Sequence, residues 1–87
     1  MTHPECWLFT RRRHALVALG RLWATHRVDA RNLTAVNVAT RVEVRCFVVN
    51  APGDEHKLRG QQFSEVRVMD CGVPEAAERL ARLRVRP

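Results

Sequence analysis

Arg41-Val42-Glu43-Val44-Arg45-Cys46-Phe47-Val48-Val49 decides the fold class, because Val42, Val44, Cys46 and Val48 fall on one face of an extended chain and Arg41, Glu43 and Arg45 on the other. This period of two is that of a strand with one face to bury, and a buried face needs a second layer to cover it. Upstream, Leu33 to Val38 is also rich in β-forming residues. The two stretches together span about seventeen residues, longer than a usual strand, so a reversal is expected over 39–41 although no Asn-Gly marks it. Downstream, Asn50-Ala51-Pro52-Gly53 breaks the pattern and Asp54 is placed to cap a short helix, with Glu55 at the positive end of its dipole. Gly60 weakens that helix, which leaves residues 54–64 as either a short helix or a loop. Glu65 to Met69 reads as a strand through Val66 and Val68. Gly72 and Pro74 then lead into a helix over 75–83, with Glu75 and Glu78 near its start and Arg79 and Arg82 near its end, as the macrodipole favours.

Ahead of these strands, Cys6-Trp7-Leu8-Phe9-Thr10 predicts a first strand. Over 14–27, Ala15, Leu16, Leu19, Leu22, Trp23 and His26 recur at helical spacing, which predicts an amphipathic helix with Trp23 in the core and His26 at its boundary. The expected order is strand, helix, strand, strand, short helix, strand and an appended helix. That is an α+β chain with a ferredoxin-like βαββαβ sandwich, a mixed four-stranded sheet and a C-terminal helical tail. Eighty-seven residues fit one domain, with its core over about 6–70 and the tail over about 73–87.

Composition narrows the function classes. The apolar share of 46% suits a folded globule, and neither a membrane span nor a secretory leader is visible, so a soluble cytoplasmic protein without membrane contact is expected. Cys6, Cys46 and Cys71 are odd in number and widely spaced, which indicates neither a disulfide framework nor a zinc ribbon. His3 and Cys6 stand as His-x-x-Cys without a second pair, so no metal and no other cofactor is expected. Cys71, beside Asp70 and Gly72, is an isolated candidate nucleophile with no histidine at suggestive spacing. With no Ser-His-Asp or Cys-His constellation and no Gly-rich phosphate loop, the chain reads as a non-enzyme without catalytic residues.

The formal charge is +6, and every cationic residue except Lys57 is arginine, the side chain that grips carboxylate and phosphate with two parallel hydrogen bonds. Arg11, Arg12 and Arg13 crowd the amino end of the first helix, where the dipole disfavours cations. A bound carboxylate or phosphate would satisfy both the arginines and the free helix-terminal N–H groups. The alternative is a helix that begins at about His14 behind a solvated arginine loop.

The segment from His14 to Val36 resembles the first helix and second strand of an ACT domain: Leu22-Trp23 closes the helix, Asp29-Ala30 follows a short polar turn, and Leu33-Thr34 opens the next strand. The similarity spans about residues 6–70, and the small size with a short tail looks most like the regulatory small subunits of acetohydroxyacid synthase. The resemblance implies a regulatory module that senses an amino acid or other small anion, as a homodimer or as a subunit on a larger enzyme. It places the ligand against Asp29 and the turn from Arg12 to His14. Arg13-His14 stands where amino-acid-binding members have Pro-Gly or a similar glycine, a departure that bears on ligand binding and not on the fold.

Two other readings come from different classes. A basic ferredoxin-like sheet suits nucleic acid, although Arg45-Cys46-Phe47-Val48-Val49 offers a single aromatic and tyrosine is absent from the chain. A structural accessory subunit would dock on an acidic partner through its arginines or its terminal helix.

Overall fold

In a computed structural model, which describes residues 2–86, the elements follow the order β1 (Glu5–Phe9), α1 (Arg12–Gly20), β2 (His26–Asp29), β3 (Thr34–Asn37), β4 (Glu43–Val48), β5 (Glu65–Val68) and α2 (Glu75–Leu83). A single 3-10 turn, Asp54–Leu58, lies between β4 and β5. The strands form one mixed sheet in the order β2-β3-β4-β1-β5. β2, β3 and β4 are joined as antiparallel neighbours, whereas β1 runs parallel to both β4 and β5.

The fold is α+β, with five strands where the sequence pattern suggests four. The additional strand, β2, begins inside the stretch expected to be helical to residue 27 and extends two residues past it. Helix α1 stops at Gly20, but Leu22 N–H donates to Leu19 O and both Thr25 and His26 N–H donate to Leu22 O. These turns preserve three- and four-residue spacing beyond the helix, which is why the apolar period runs on. Leu22 still packs with the core, but Trp23 leaves it and is 64% exposed. His26 opens β2 and is half-buried.

The βαββαβ order is not reproduced. A 3-10 turn stands in place of the second helix, between Gly53 and Gly60, both at positive φ. β5 runs parallel to β1 because the crossover from β4 carries the chain back to the starting edge of the sheet, as a parallel connection must. Thr34–Asn37, the reversal after it, Glu65–Val68 and Glu75–Leu83 all lie where the sequence pattern places them.

Central position in the sheet explains why β1 is apolar at successive residues. Cys6 and Leu8 pack beneath α2 with Val49, Leu58 and Phe63, while Trp7 and Phe9 face α1 with Ala15, Leu19 and Ala35. Each cluster is closed by small residues on the helix above it, Ala15 under α1 and Ala77 with Ala81 under α2, which lets the helix backbones approach the sheet. The layers are therefore helix, sheet, helix. The α2 layer covers β4, β1 and β5, and neither β2 nor β3 contributes to the cluster beneath it.

Candidate functional site

Because β1 and β5 are parallel neighbours, their carboxyl ends lie side by side and deliver Thr10 and Asp70 to the same edge of the sheet. Asp70 Oδ2 accepts three hydrogen bonds there: from Thr10 N–H at 2.8 Å, from the Thr10 hydroxyl at 3.0 Å and from His14 Nδ1 at 2.8 Å. Asn50, just past β4, donates its amide to Thr10 O at 2.7 Å, so the ends of three adjacent strands are tied together. Burial pushes the Asp70 carboxyl up, but the bonds from Thr10 and His14 and the nearby His14 charge outweigh it and hold the group below its ordinary 3.8. Facing an ionised Asp70, Nδ1 of His14 is the donor. All three bonds converge on Oδ2, and among the described residues Oδ1 accepts none.

Asp70 and His14 border a groove of about 240 Å³ between α1 and the end of β5. Phe9 forms its floor, Val17 and Arg21 line the helix side, and Met69 lines the strand side. Val17 is 58% exposed and Met69 41%, a quantity of open apolar surface that suits a small ligand with an apolar body. Arg21 has no carboxylate within ion-pair distance among the described residues. Arg13 lies four residues before Val17 on the same flank of α1.

The residues singled out from the sequence divide between two sides of α1. The helix opens at Arg12, so the arginines belong to its first turn and cap rather than to a loop ahead of it. Arg11 occupies the N-cap without a side-chain bond, and the first turn contains no acid. Arg12 reaches away from the groove and donates to Ala30 O at 3.3 Å, over the turn between β2 and β3. Asp29 ends β2 at that turn, where its oxygens accept from Asn32 N–H at 3.1 Å and the Asn32 amide at 2.8 Å. These bonds from Asn32 hold its carboxyl below the ordinary value. Asp29 therefore shares a flank with Arg12, and His14 faces the opposite one. Residues two positions apart on a helix are separated by about 200°, which is the reason Arg12 and His14 point to different flanks.

The chain matches no protein-family model, no curated protein and no solved structure.

Asp70 and Arg21 are the groove residues that the sequence pattern left unassigned. Arg21 is visible as i+7 from His14, two turns along one helix face, but Asp70 reaches the site only through the pairing of β1 with β5. Cys71 is exposed, and the histidine nearest in the network, His14, is engaged by Asp70 instead. Cys6 of the His-x-x-Cys pair is buried, and burial, with a contribution from Cys46, pushes its thiol up to about 12. Among the described residues no three His, Cys, Asp or Glu side chains converge, and no helix is long and apolar enough to cross a membrane.

Proposed function

We propose that this chain is a small regulatory module that binds an apolar amino acid in the groove between α1 and the end of β5, as a homodimer or as a subunit on a larger enzyme. The observation that carries this reading is the asymmetry of Asp70: one oxygen holds three donors, and the other is left to accept the ammonium group of a ligand. Arg21 supplies the counter-charge for a carboxylate, and Val17, Met69 and Phe9 supply apolar surface for a side chain. The groove has room for about eight waters, enough to seat a metabolite of amino-acid size. Asp29, which the ACT resemblance places against the ligand, is in this reading a turn-capping residue, and Asp70 takes its role.

The ACT-like, ferredoxin-like kinship is supported by spatial order. With β2 set aside, the sheet reads β3-β4-β1-β5, which keeps the first strand between the second strand of the hairpin and the last strand. The direction of β5 and the missing second helix are departures from it.

Calorimetry with leucine, isoleucine and valine tests the proposal. Asp70→Asn and Arg21→Gln should each weaken binding at least tenfold, and 4-methylpentanoate, which lacks the ammonium group, should bind no better to the unmodified protein than to Asp70→Asn. Equal binding of the amino acid to all three proteins, or no heat from any of them, contradicts it.

Nucleic-acid binding is favoured by a different observation. The Arg12 bond to Ala30 brings the arginines at the start of α1 next to the turn that carries Arg31, and none of these has an acidic partner among the described residues. This reading predicts oligonucleotide affinity that falls steeply with salt and declines with each arginine removed.

A further inference from the structure

We propose a second anion site on the uncovered face of the β2–β3 hairpin, where Arg27 and Arg41 hold the phosphate group of a small phosphomonoester and its apolar part rests on Val36 and Val38. Arg27 stands opposite Val36, and Val36 opposite Glu43, so all three share one face of the sheet. Val28 and Ala35 occupy the other face, under α1. Arg27, Val36, Val38 and Arg41 enclose a recess of about 90 Å³, room for about three waters and hence for one tetrahedral oxyanion.

Three features of this recess disfavour the protein by itself and favour it with an anion bound. Two arginines line one small recess, and neither has a carboxylate within ion-pair distance among the described residues. Glu43, in the same cross-strand row, is turned to Arg45 at 3.2 Å instead. Val38 is 57% exposed. The third feature is backbone strain. Asn37 organises the turn between β3 and β4 by accepting from Ala39 and Thr40 N–H at 2.9 and 3.0 Å, and Arg41 N–H closes it on Asn37 O at 2.8 Å. The closing residue has φ +66°, a left-handed conformation that glycine adopts freely and a long side chain adopts under strain. An arginine at that position lines the recess together with Arg27 at the expense of local stability. A phosphate dianion matches two guanidiniums in charge and in hydrogen-bond geometry. The valine floor offers no ring for a base to stack on, which favours a small ester over single-stranded nucleic acid.

Phenyl phosphate is the probe, followed by amide chemical shifts, with inorganic phosphate and a twelve-nucleotide oligothymidylate beside it. Phenyl phosphate is expected to shift Arg27, Val36, Val38 and Arg41 and to bind more tightly than inorganic phosphate. Arg41→Gly should raise the thermal midpoint while weakening binding at least tenfold. Arg27→Gln and Arg41→Lys should weaken it without that rise, and Arg59→Gln should leave it unchanged. Shifts spread evenly over all arginines, a lower midpoint for Arg41→Gly, or undiminished binding by it would each overturn the proposal. Oligothymidylate binding this face more tightly than phenyl phosphate, with steep salt dependence, would overturn it in favour of nucleic acid. Asp70→Asn should not alter phenyl phosphate binding, so the fate of this site is separable from that of the groove.

Discussion

Cys6 and Cys46 lie in neighbouring parallel strands, one residue out of register, and turn to opposite faces of the sheet, Cys6 beneath α2 and Cys46 beneath α1. Burial pushes both thiols up to about 12, with Cys46 adding to the effect on Cys6. Both are therefore protonated and shielded at neutral pH, and the sheet between them prevents a disulfide, whereas Cys71 is exposed. In the native protein one thiol should react with Ellman's reagent within minutes and the other two only in denaturant. Two fast thiols would contradict the burial of β1 or β4.

Asp70 should contribute to the acid end of the stability profile together with Asp29 and with Asp54, whose carboxyl accepts from Asn50 and Ala51 N–H, since all three are held below their ordinary value. A carboxyl whose folded pKa is depressed stabilises the native state above the unfolded value, about 3.9, and that contribution disappears as pH falls through the folded value. Asp70→Asn should accordingly be less stable than the unmodified protein at pH 7, with the difference narrowing below about pH 4. Urea denaturation at pH 7, 4 and 3 measures this, and a difference independent of pH would refute the charge-assisted network around Oδ2.

The strands and the terminal helix were legible because each carries its own pattern. Val44 and Cys46 alternate with Glu43 and Arg45, and Glu75 and Glu78 precede Arg79 and Arg82, with which they form ion pairs at 2.9 Å in the structure. β2 was illegible because the turns after Gly20 preserve helical spacing, so that Leu22 remains in the core and disguises the exit of Trp23. The candidate site was half legible. His14 and the arginines announce themselves by charge at a helix start, but Asp70 and Thr10 meet across 60 residues by way of a parallel strand pairing that no local pattern encodes.

Leu19 and Trp23, both assigned to one apolar stripe in the sequence, should behave oppositely. Leu19 is 1% exposed under α1, so Leu19→Ala should cost about 2–5 kcal/mol of stability and Leu19→Asp should unfold the domain. Trp23→Ser should change stability by less than about 0.5 kcal/mol. Chemical denaturation of the three variants checks this, and a loss from Trp23→Ser equal to that of Leu19→Ala would place Trp23 in the core after all.

Assembly, if it occurs, should use the outer side of α1 and not the edge of β5. β5 is guarded, since Arg67 pairs with Glu65 at 3.1 Å and Glu5 at 3.7 Å and lies over the Trp7 ring at 5.6 Å. Charged side chains along an edge strand oppose pairing with a second chain. On the helix side large apolar residues are exposed among the arginines: Leu16 at 38%, Val17 at 58% and Trp23, just past the helix end, at 64%. An indole this exposed at the surface of a small domain is the kind of anchor that protein interfaces bury. Sedimentation velocity at micromolar concentration should therefore show a dimer, or a complex with a larger subunit recovered from the native source, that Trp23→Ser disrupts and Arg67→Ala leaves in place. Tryptophan emission should shift to the blue on assembly as Trp23 leaves water. A monomer with no recoverable partner, or an assembly that survives Trp23→Ser and fails with Arg67→Ala, would remove α1 as the interface and return attention to the sheet edge.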